Sequence, residues 1–509
     1  MLDKKGDVMN QSYQSILAAG VEKKYRMLEE EIMKDVIRRI QKTGKITSSA
    51  DWQLQRYMVL GNSTEDVENI VRKAVGNDWV STFELYDEVI EREYVRSKAM
   101  YEQVNAHFVP YEQNYELQQI TNALIQQSND ELFNISKSLG FMVDMGGGRK
   151  VFTPLAEVYN NYLDNAITMM ASGAFDYNTL IRRVVGEMTA SGLRTVDYAS
   201  GHSNRVDVAV RRAMLTGMGQ LTGHISDMNG QRLGTDKYEV DWHPGARPEH
   251  ARWQGRVWTK QQLVDVCGLG SGAGLLGWNC RHTYYPFIEG ISVRNYSDRW
   301  LEDVERKEAE KTVYRGREYN AYEATQKQRR METAMRAQRE KAELLKLGGA
   351  DSDDILNARC KYQAMLDEYK EFSKKFHLPE QRERIYYDLR GRVAPSQKTY
   401  KAYQIVEGNR KKVEIPAAKI DSFFLKPGAK HAQEFFDSGY SEKDSKRLRR
   451  DILYQYNEEK AVDKKKLPDG AERFSIFMDL GTGEKKTFRI VWQKDSADAK
   501  PRLITGHRE

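Results

Sequence analysis

The sequence has few cysteines and no long hydrophobic run. Its 509 residues include only three cysteines, Cys267, Cys280 and Cys360, which excludes a disulfide framework and favours a reducing compartment. No stretch approaches the ~18 consecutive apolar residues of a membrane-spanning helix. The first residues, MLDKKGDVMNQSYQ, lack the apolar segment of a signal peptide. We therefore expect synthesis in the cytoplasm and no membrane partner.

Excess charge of either sign is also small, except near the end of the chain. The formal net charge is +6. Residues 411–509 carry 22 Lys and Arg against 17 Asp and Glu, whereas the preceding 410 residues carry 58 against 57. A basic terminal domain favours an acidic partner such as nucleic acid.

Four segments of different composition predict a multidomain protein. Residues 1–230 are poor in Pro and Gly and space their apolar residues as helices do, which predicts a mainly α region. Residues 231–300 are rich in glycine and tryptophan and predict a small α+β core domain, in which TDKYEVDWH is a strand. Residues 301–410 repeat opposite charges at i to i+4, a pattern typical of a solvent-exposed helical spacer.

Residues 411–509 predict a basic α+β domain, with helices followed by an antiparallel meander sheet. The strands are ERFSIFMDL, KKTFRIVWQKD and PRLITGH, and GTGE forms a hairpin turn between the first two. Phe488 and Trp492 are expected in its core. The two-residue period of the last strand predicts Thr505 and His507 on one face and Arg502 on the other.

Four side chains with metal-ligand chemistry fall within forty residues: His243, His250, Cys280 and His282. Zinc prefers four nitrogen or sulfur ligands in a tetrahedral array, but this spacing matches no strong finger pattern. A cysteine near a histidine can also act as a nucleophile, and such side chains also hydrogen-bond buried loops. From the residues alone, a metal site, a catalytic site and a structural network all stay open. No cofactor is expected other than zinc at this cluster.

The segments HPGARPEHARWQGRVW, GLGSGAGLLGWNCRH and YYPFIEGIS closely resemble the phage minor capsid protein 2 family, which is related to head-morphogenesis proteins of tailed phages and prophages. The resemblance continues through RVDVAVRRAMLTG and ITSSADWQLQRYMVLG and covers roughly residues 1–300. It implies a structural protein of the virion, located in the phage head and made in the cytoplasm of the bacterial host. Portal and capsid or scaffold proteins are the implied partners. It favours the structural interpretation of the His/Cys cluster.

The terminal segment AKHAQEFF, placed before an antiparallel sheet, is similar to colicin D-type tRNase domains and to the barnase–EndoU–colicin–RelE group of metal-independent ribonucleases. The resemblance implies a polymorphic-toxin domain with RNA, such as tRNA, as substrate and an immunity protein as partner. Metal-free RNA cleavage needs a general base, a general acid and cations near the phosphate. We assign acid–base chemistry to His431 and phosphate contacts to Lys430, Arg489 and Thr505. His507 is a further catalytic candidate that we rank below these four.

Whether the chain is an enzyme stays open at this point. The last strand, which carries Thr505 and His507, departs from the colicin-like pattern because it has no clear catalytic Ser/Thr motif. The alternative is a structural virion protein whose basic terminal domain binds DNA or a protein partner without catalysis. Another toxin chemistry, or a zinc-dependent enzyme centred on Cys280 and His282, would also fit these residues.

Overall fold

A computed structural model describes residues 13–43, 63–75, 78–144, 148–171, 176–197, 201–386 and 391–509. The segment 46–61, which carries part of the family resemblance, lies outside these ranges. The chain forms two compact units: a first unit of residues 1–350 and 365–391, and a second unit of residues 351–364 and 392–509. The finer division into four segments stays a prediction, whereas a multidomain protein is confirmed.

The N-terminal region is mainly helical, as predicted. In the described part of the first unit, the helices of eight or more residues are α1 (Tyr13–Thr43), α2 (Ser63–Val75), α3 (Asp78–Val89), α4 (Tyr115–Lys137), α5 (Leu163–Ala171), α6 (Tyr177–Ser191), α7 (Val206–Arg232), α8 (Asp298–Ala309) and α9 (Ala321–Leu347). Both units contribute residues to α10 (Ser352–Lys375).

Shorter helical segments connect these helices. They are Ile90–Tyr94, Val95–Ser97, Lys98–Gln103, Tyr111–Gln113, Leu155–Glu157, Val158–Tyr162, Pro248–Ala251, Lys260–Asp265 and Arg382–Arg384.

Helix α1 shows how the helical region is held together. Its buried residues Tyr25, Leu28, Ile32, Val36 and Ile40 recur every three or four positions, which places them on one helical face. This face packs against α7, and α7 in turn packs against α4. The burial of one apolar stripe per helix therefore builds the core of the first unit.

Helix α9 is not the exposed spacer that its charge pattern predicted. Met331, Met335 and Leu345 are buried, and the helix packs against α1 and α6. Charged side chains of α9 are buried as well. One of them, Arg336, forms an ion pair with buried Asp207 at 2.7 Å. The prediction failed because opposite charges usually indicate a solvated face, whereas here they form pairs in the interior.

Short antiparallel strands complete the first unit. They are β1 (Leu139–Asp144), β2 (Lys150–Pro154), β3 (Arg194–Val196), β4 (Ser203–Arg205), β5 (Lys237–Val240), β6 (Val257–Thr259), β7 (Tyr284–Pro286), β8 (Thr312–Tyr314) and β9 (Arg317–Tyr319). One sheet has the order β2-β1-β3-β4, a second has the order β6-β5-β7, and β8 pairs with β9. The predicted strand in TDKYEVDWH is β5, at the centre of the second sheet.

The second unit contains helices followed by an antiparallel meander, as predicted. Its helices are α11 (Gln397–Lys412) and α12 (Ser445–Gln455), with shorter segments at Ala417–Lys419, Ile420–Phe424, Ala432–Phe436, Glu442–Asp444 and Glu458–Lys460. Its strands are β10 (Val462–Lys466), β11 (Glu472–Leu480), β12 (Lys486–Lys494) and β13 (Arg502–Arg508), in the order β10-β11-β12-β13.

One face of this meander forms the core of the second unit. Ile476, Met478, Phe488 and Trp492 are fully or almost fully buried, which confirms the core positions predicted for Phe488 and Trp492. Strand β10 was not predicted, because the sequence VDKKK is charged and every residue in it is exposed.

A β-bulge in β13 corrects the prediction for Arg502. Thr505 lies opposite Val491, but Arg502 lies opposite Gln493, so β13 has one more residue than β12 between these two pairs. Positions 491 and 493 share one face of β12. Arg502 therefore shares the face of Thr505 instead of opposing it, because the extra residue shifts the strand's alternation.

The search for membrane spans covered the described residues, and no helix there combines the length and the apolar character that a crossing requires.

Candidate functional site

The four predicted ligands lie beside the sheet β6-β5-β7. His243 follows β5, His250 lies in the helical turn Pro248–Ala251, and Cys280 and His282 come just before β7. Strands β5 and β7 pair antiparallel, with Val240 opposite Tyr284. The chain that leaves β5 and the chain that enters β7 therefore meet at one edge of the sheet.

Three of the four side chains bring their ligand atoms together. The Nδ1 atoms of His250 and His282 are 3.3 Å apart. The Cys280 Sγ lies 3.8 Å from the first of these nitrogens and 3.7 Å from the second. All three residues are buried. These residues can hold a metal ion, and among the described residues no other group of three or more His, Cys, Asp or Glu side chains is close enough to do so.

His243 stays outside this group of ligand atoms. Its Nε2 lies 2.8 Å from the Arg281 carbonyl oxygen and 3.0 Å from Asp241 Oδ2. Its ring centre is 5.0 Å from that of His282. Burial lowers the pKa of His243, but Asp241 and the Arg281 carbonyl outweigh it, so the net pKa is raised. His243 therefore serves as a hydrogen-bonded neighbour of the cluster.

A glycine-rich loop closes over the cluster. A side chain at Gly274 would overlap the carbonyl oxygen of Gly268, and one at Gly277 would overlap that of Gly272. The loop can fold back on itself only because these positions lack a Cβ atom. This fold brings the Ala273 carbonyl oxygen to 2.9 Å from His250 Nε2.

Burial sets the protonation states of the cluster side chains when no metal ion is bound. It raises the pKa of the Cys280 thiol to about 11 and holds the pKa of His282 well below its usual value. A thiol with a raised pKa is a poor nucleophile at neutral pH, since the thiolate is the reactive form. This environment therefore argues against the interpretation of Cys280 as a catalytic nucleophile.

A cavity of about 510 Å³ borders the two cluster histidines. Eight arginines and three carboxylates line it. Glu22 pairs with Arg211 at 3.2 Å, and Glu332 pairs with Arg384 at 3.1 Å. The cavity wall therefore carries more cationic than anionic groups.

In the second unit, the two histidines lie side by side. His431 immediately precedes the helical turn Ala432–Phe436, and His507 is on β13. Their ring centres are 5.6 Å apart. His431 Nδ1 lies 2.9 Å from Glu434 Oε1, and the other oxygen of Glu434 accepts the Arg508 backbone N–H.

This arrangement fixes which nitrogen of His431 is protonated. Burial opposes ionisation of the Glu434 carboxyl, but hydrogen bonds from His431 and from the Arg508 N–H outweigh it and lower the pKa of Glu434. The ionised carboxylate can only accept, so His431 Nδ1–H donates to it. The Nε2 of neutral His431 then carries the lone pair that a general base needs.

The other three predicted catalytic residues differ in their position relative to His431 and His507. Arg489 is directly opposite His507 in the β12–β13 ladder, but its guanidinium bonds to Asp463 and to Ser475 Oγ. Thr505 is two residues before His507 on the same face. Lys430 is exposed next to His431.

Sequence reasoning missed two positioning residues. Glu434 orients His431 from three residues further along the chain, a spacing that allows contact across one helical turn. Gln254 accepts the His282 Nε2–H at 2.8 Å and lies four residues after His250. For Glu434 the signal was a polar residue at helical spacing from His431, whereas Gln254 lies 28 positions from His282 and no local spacing signals their contact.

Comparison with known proteins places this architecture in a family. The family model described as "Phage minor capsid protein 2" matches residues 9–373. No significant match was found among curated proteins or among solved structures. Because the family model covers well over half of the 509 residues, the chain belongs to the phage minor capsid protein 2 family.

Proposed function

We propose that this chain is a head-morphogenesis protein that associates with the portal or procapsid and carries a metal-independent ribonuclease in its second unit. Family membership supports the structural half of the proposal. Portal, capsid and scaffold proteins are the proposed partners, and the phage head is the proposed location. The capsid region itself carries no proposed enzymatic activity.

The contact between His431 and His507 carries the catalytic half. Two rings with centres 5.6 Å apart can flank one phosphodiester, with about 3 Å from each nitrogen to the oxygen it serves. Glu434 leaves His431 Nε2 free to accept the proton of the 2′-hydroxyl. The 2′-oxygen then attacks phosphorus, the bond to the 5′-oxygen breaks, and His507 in its protonated form donates a proton to that oxygen.

Cations would stabilise the charge that develops on the phosphate during this step. Lys430 is adjacent to the proposed base and exposed, which suits a contact that forms only with bound RNA. Thr505 can donate its hydroxyl hydrogen to a phosphate oxygen from the same strand face as His507. The guanidinium of Arg489 forms an ion pair with Asp463. We therefore propose that Arg489 acts through the positive electrostatic potential that it contributes beside His507.

The catalytic proposal is tested with the full chain and total bacterial RNA in excess EDTA. We expect discrete fragments, because none of the proposed steps uses a metal. Circular dichroism in the same buffer confirms that the chain stays folded. Intact RNA together with salt-sensitive binding to any duplex would contradict the proposal, and would support a DNA-binding terminal domain instead.

The structural half has its own test. Heads purified from producing cells should contain the chain, as detected by mass spectrometry, after washing at high salt removes loosely bound protein. A chain that stays entirely in the soluble fraction would contradict a place in the virion. This outcome would leave the catalytic result unaffected, so the two halves fail independently.

A further inference from the structure

We propose that His250, Cys280 and His282 bind one zinc ion. Zinc bonds are about 2.0–2.1 Å to histidine nitrogen and about 2.3 Å to cysteine sulfur in a tetrahedral site. Tetrahedral angles then separate two nitrogens by about 3.4 Å, and a nitrogen from a sulfur by about 3.6 Å. The corresponding separations here are 3.3 Å between the nitrogens and 3.7 and 3.8 Å to the sulfur.

The hydrogen bonds around His282 direct a lone pair into the centre of this triangle. The Gln254 Oε1 accepts the backbone N–H of His243 at 2.9 Å, which identifies this atom as the amide oxygen. The same oxygen lies 2.8 Å from His282 Nε2, so Nε2–H must donate to it. The neutral ring therefore presents its unprotonated Nδ1 towards Cys280 and His250.

His250 has two neighbours that favour different protonation. Its Nε2 lies 2.9 Å from the Ala273 carbonyl oxygen, which fits a protonated Nε2 and a metal-binding Nδ1. It also lies 2.7 Å from Arg247 Nη2, which fits the other tautomer. We favour the first, because His250 Nδ1–H would otherwise point at His282 Nδ1 at 3.3 Å, longer than usual for a hydrogen bond to nitrogen.

The fourth zinc position is open to a ligand other than these three side chains. His250 and His282 both line the arginine-rich cavity, so a water or an anion from that side can complete the tetrahedron. Binding converts the Cys280 thiol to a thiolate and releases its proton to solvent. The ion would join the Pro248–Ala251 turn to the segment before β7 in a region whose strands have only three or four residues.

The zinc proposal is tested on the full chain purified without chelator. We expect one equivalent of zinc per chain by elemental analysis. The variants Cys280→Ser and His282→Ala should lose it, whereas Cys267→Ser should retain it, since Cys267 is equally buried in the same small core but outside the cluster. Less than a tenth of an equivalent in wild type, or loss in all three variants alike, would overturn the site.

Cobalt provides a readout that does not depend on variants folding. The wild-type chain, stripped of metal and titrated with Co²⁺, should develop the absorption of a tetrahedral ion with a thiolate-to-cobalt band. The absence of that band in a refolded chain would overturn the assignment of Cys280. Neither result depends on RNA cleavage, so this proposal and the ribonuclease can fail separately.

A second inference rests on the cavity itself, because the arginines of its wall outnumber the carboxylates. Among the residues that the structure describes, no carboxylate oxygen lies within ion-pair distance of Arg247, Arg281 or Arg329, whereas each of the other five wall arginines pairs with one. Burial, together with neighbouring arginines such as Arg384, lowers the pKa of Arg329 to about 9, although Glu332 acts in the opposite direction. Cations placed in this way favour an anionic ligand.

We infer that the cavity binds a phosphate group, which arginine recognises through paired N–H donors. At constant ionic strength, inorganic phosphate at about ten times its dissociation constant should raise the melting temperature of the full chain by about 3 °C compared with chloride. Nucleoside monophosphates tested in parallel distinguish a nucleotide from free phosphate as the source.

Without phosphate, the variant Arg329→Met should have a higher melting temperature than wild type, because it lacks a cation that no carboxylate pairs with. Phosphate should no longer raise the melting temperature of this variant. Arg330→Met is the matched control, because Arg330 is exposed and outside the wall of this cavity. A wild-type response to phosphate no larger than the response to chloride would overturn the inference, as would a full phosphate response in both Arg329→Met and Arg281→Met.

Discussion

Alanine at His431 is expected to lower the rate of RNA cleavage by about 100- to 10,000-fold, the usual contribution of one general acid or base. Alanine at His507 should have a comparable effect. The double variant should be little worse than either single one, because residues that act together in one step are not additive. Rates are measured under single-turnover conditions with the full chain, so that product release does not mask the chemical step.

The control for this experiment is His224→Ala. His224 is exposed on α7 in the first unit, and its loss should leave cleavage unchanged. Both histidines of the proposed ribonuclease site are partly exposed, so their removal should not unfold the second unit, and a melting curve checks this. Cleavage that survives both His431→Ala and His507→Ala would show that a different group carries the chemistry.

The second large effect is expected at Asp207, where asparagine should reduce the free energy of unfolding by about 3–5 kcal/mol. Asp207 is buried, and Arg336 lies 2.7 Å away, while Arg26 and Arg205 each lie 3.7 Å away. Burial opposes its ionisation, but these arginines outweigh it and lower the pKa of Asp207 below its usual value. Removal of this charge takes away the closest carboxylate partner of Arg336, while Arg26 and Arg205 keep Glu22 and Glu29 as their other partners.

The pH dependence follows from the direction of this shift. Because the folded pKa lies below the unfolded value of about 3.9, the carboxylate's contribution is fully present above that value and is lost as the pH falls through the folded pKa. The Asp207 carboxylate itself should therefore add no pH dependence above pH 5 to the difference between wild type and Asp207→Asn in urea denaturation. Towards pH 8 the difference should change, because burial and nearby carboxylates, Asp207 among them, raise the pKa of Glu340 to about 8. Asp303→Asn, in an exposed pair with Arg306, should change stability by less than about 1 kcal/mol. A loss at Asp207 no larger than this would contradict the buried-charge account.

The sequence was most informative where burial is periodic. Strands β11 and β12 were predicted within a residue or two, because apolar residues such as Phe474, Ile476 and Met478 recur at every second position. The bulge near Thr505 could not be predicted, since no residue pattern in PRLITGH distinguishes a regular strand from one with an extra residue. Helix α9 was correctly predicted as a helix, but its burial depends on tertiary partners such as Asp207, 129 positions from Arg336 and visible only after folding.

The two candidate sites show the same limit. The residue types of both sites could be identified from the sequence. The single residue between Cys280 and His282 also predicted that these two side chains lie close together. The 3.3 Å contact between His250 and His282 depends on how β5 and β7 pair, which local sequence does not specify. Similarly, His507 received a secondary place because it lies near the chain end, whereas the pairing of β13 with β12 brings it to His431.

The most direct test of the account is the chemistry of the RNA ends. Total bacterial RNA is treated with the full chain in EDTA, and the termini of the fragments are determined. Attack by the 2′-oxygen with proton transfer through His431 and His507 predicts 2′,3′-cyclic phosphate and 5′-hydroxyl ends, and no cleavage of DNA under the same conditions. Uncut RNA, or fragments with 3′-hydroxyl ends, would contradict the two-histidine mechanism.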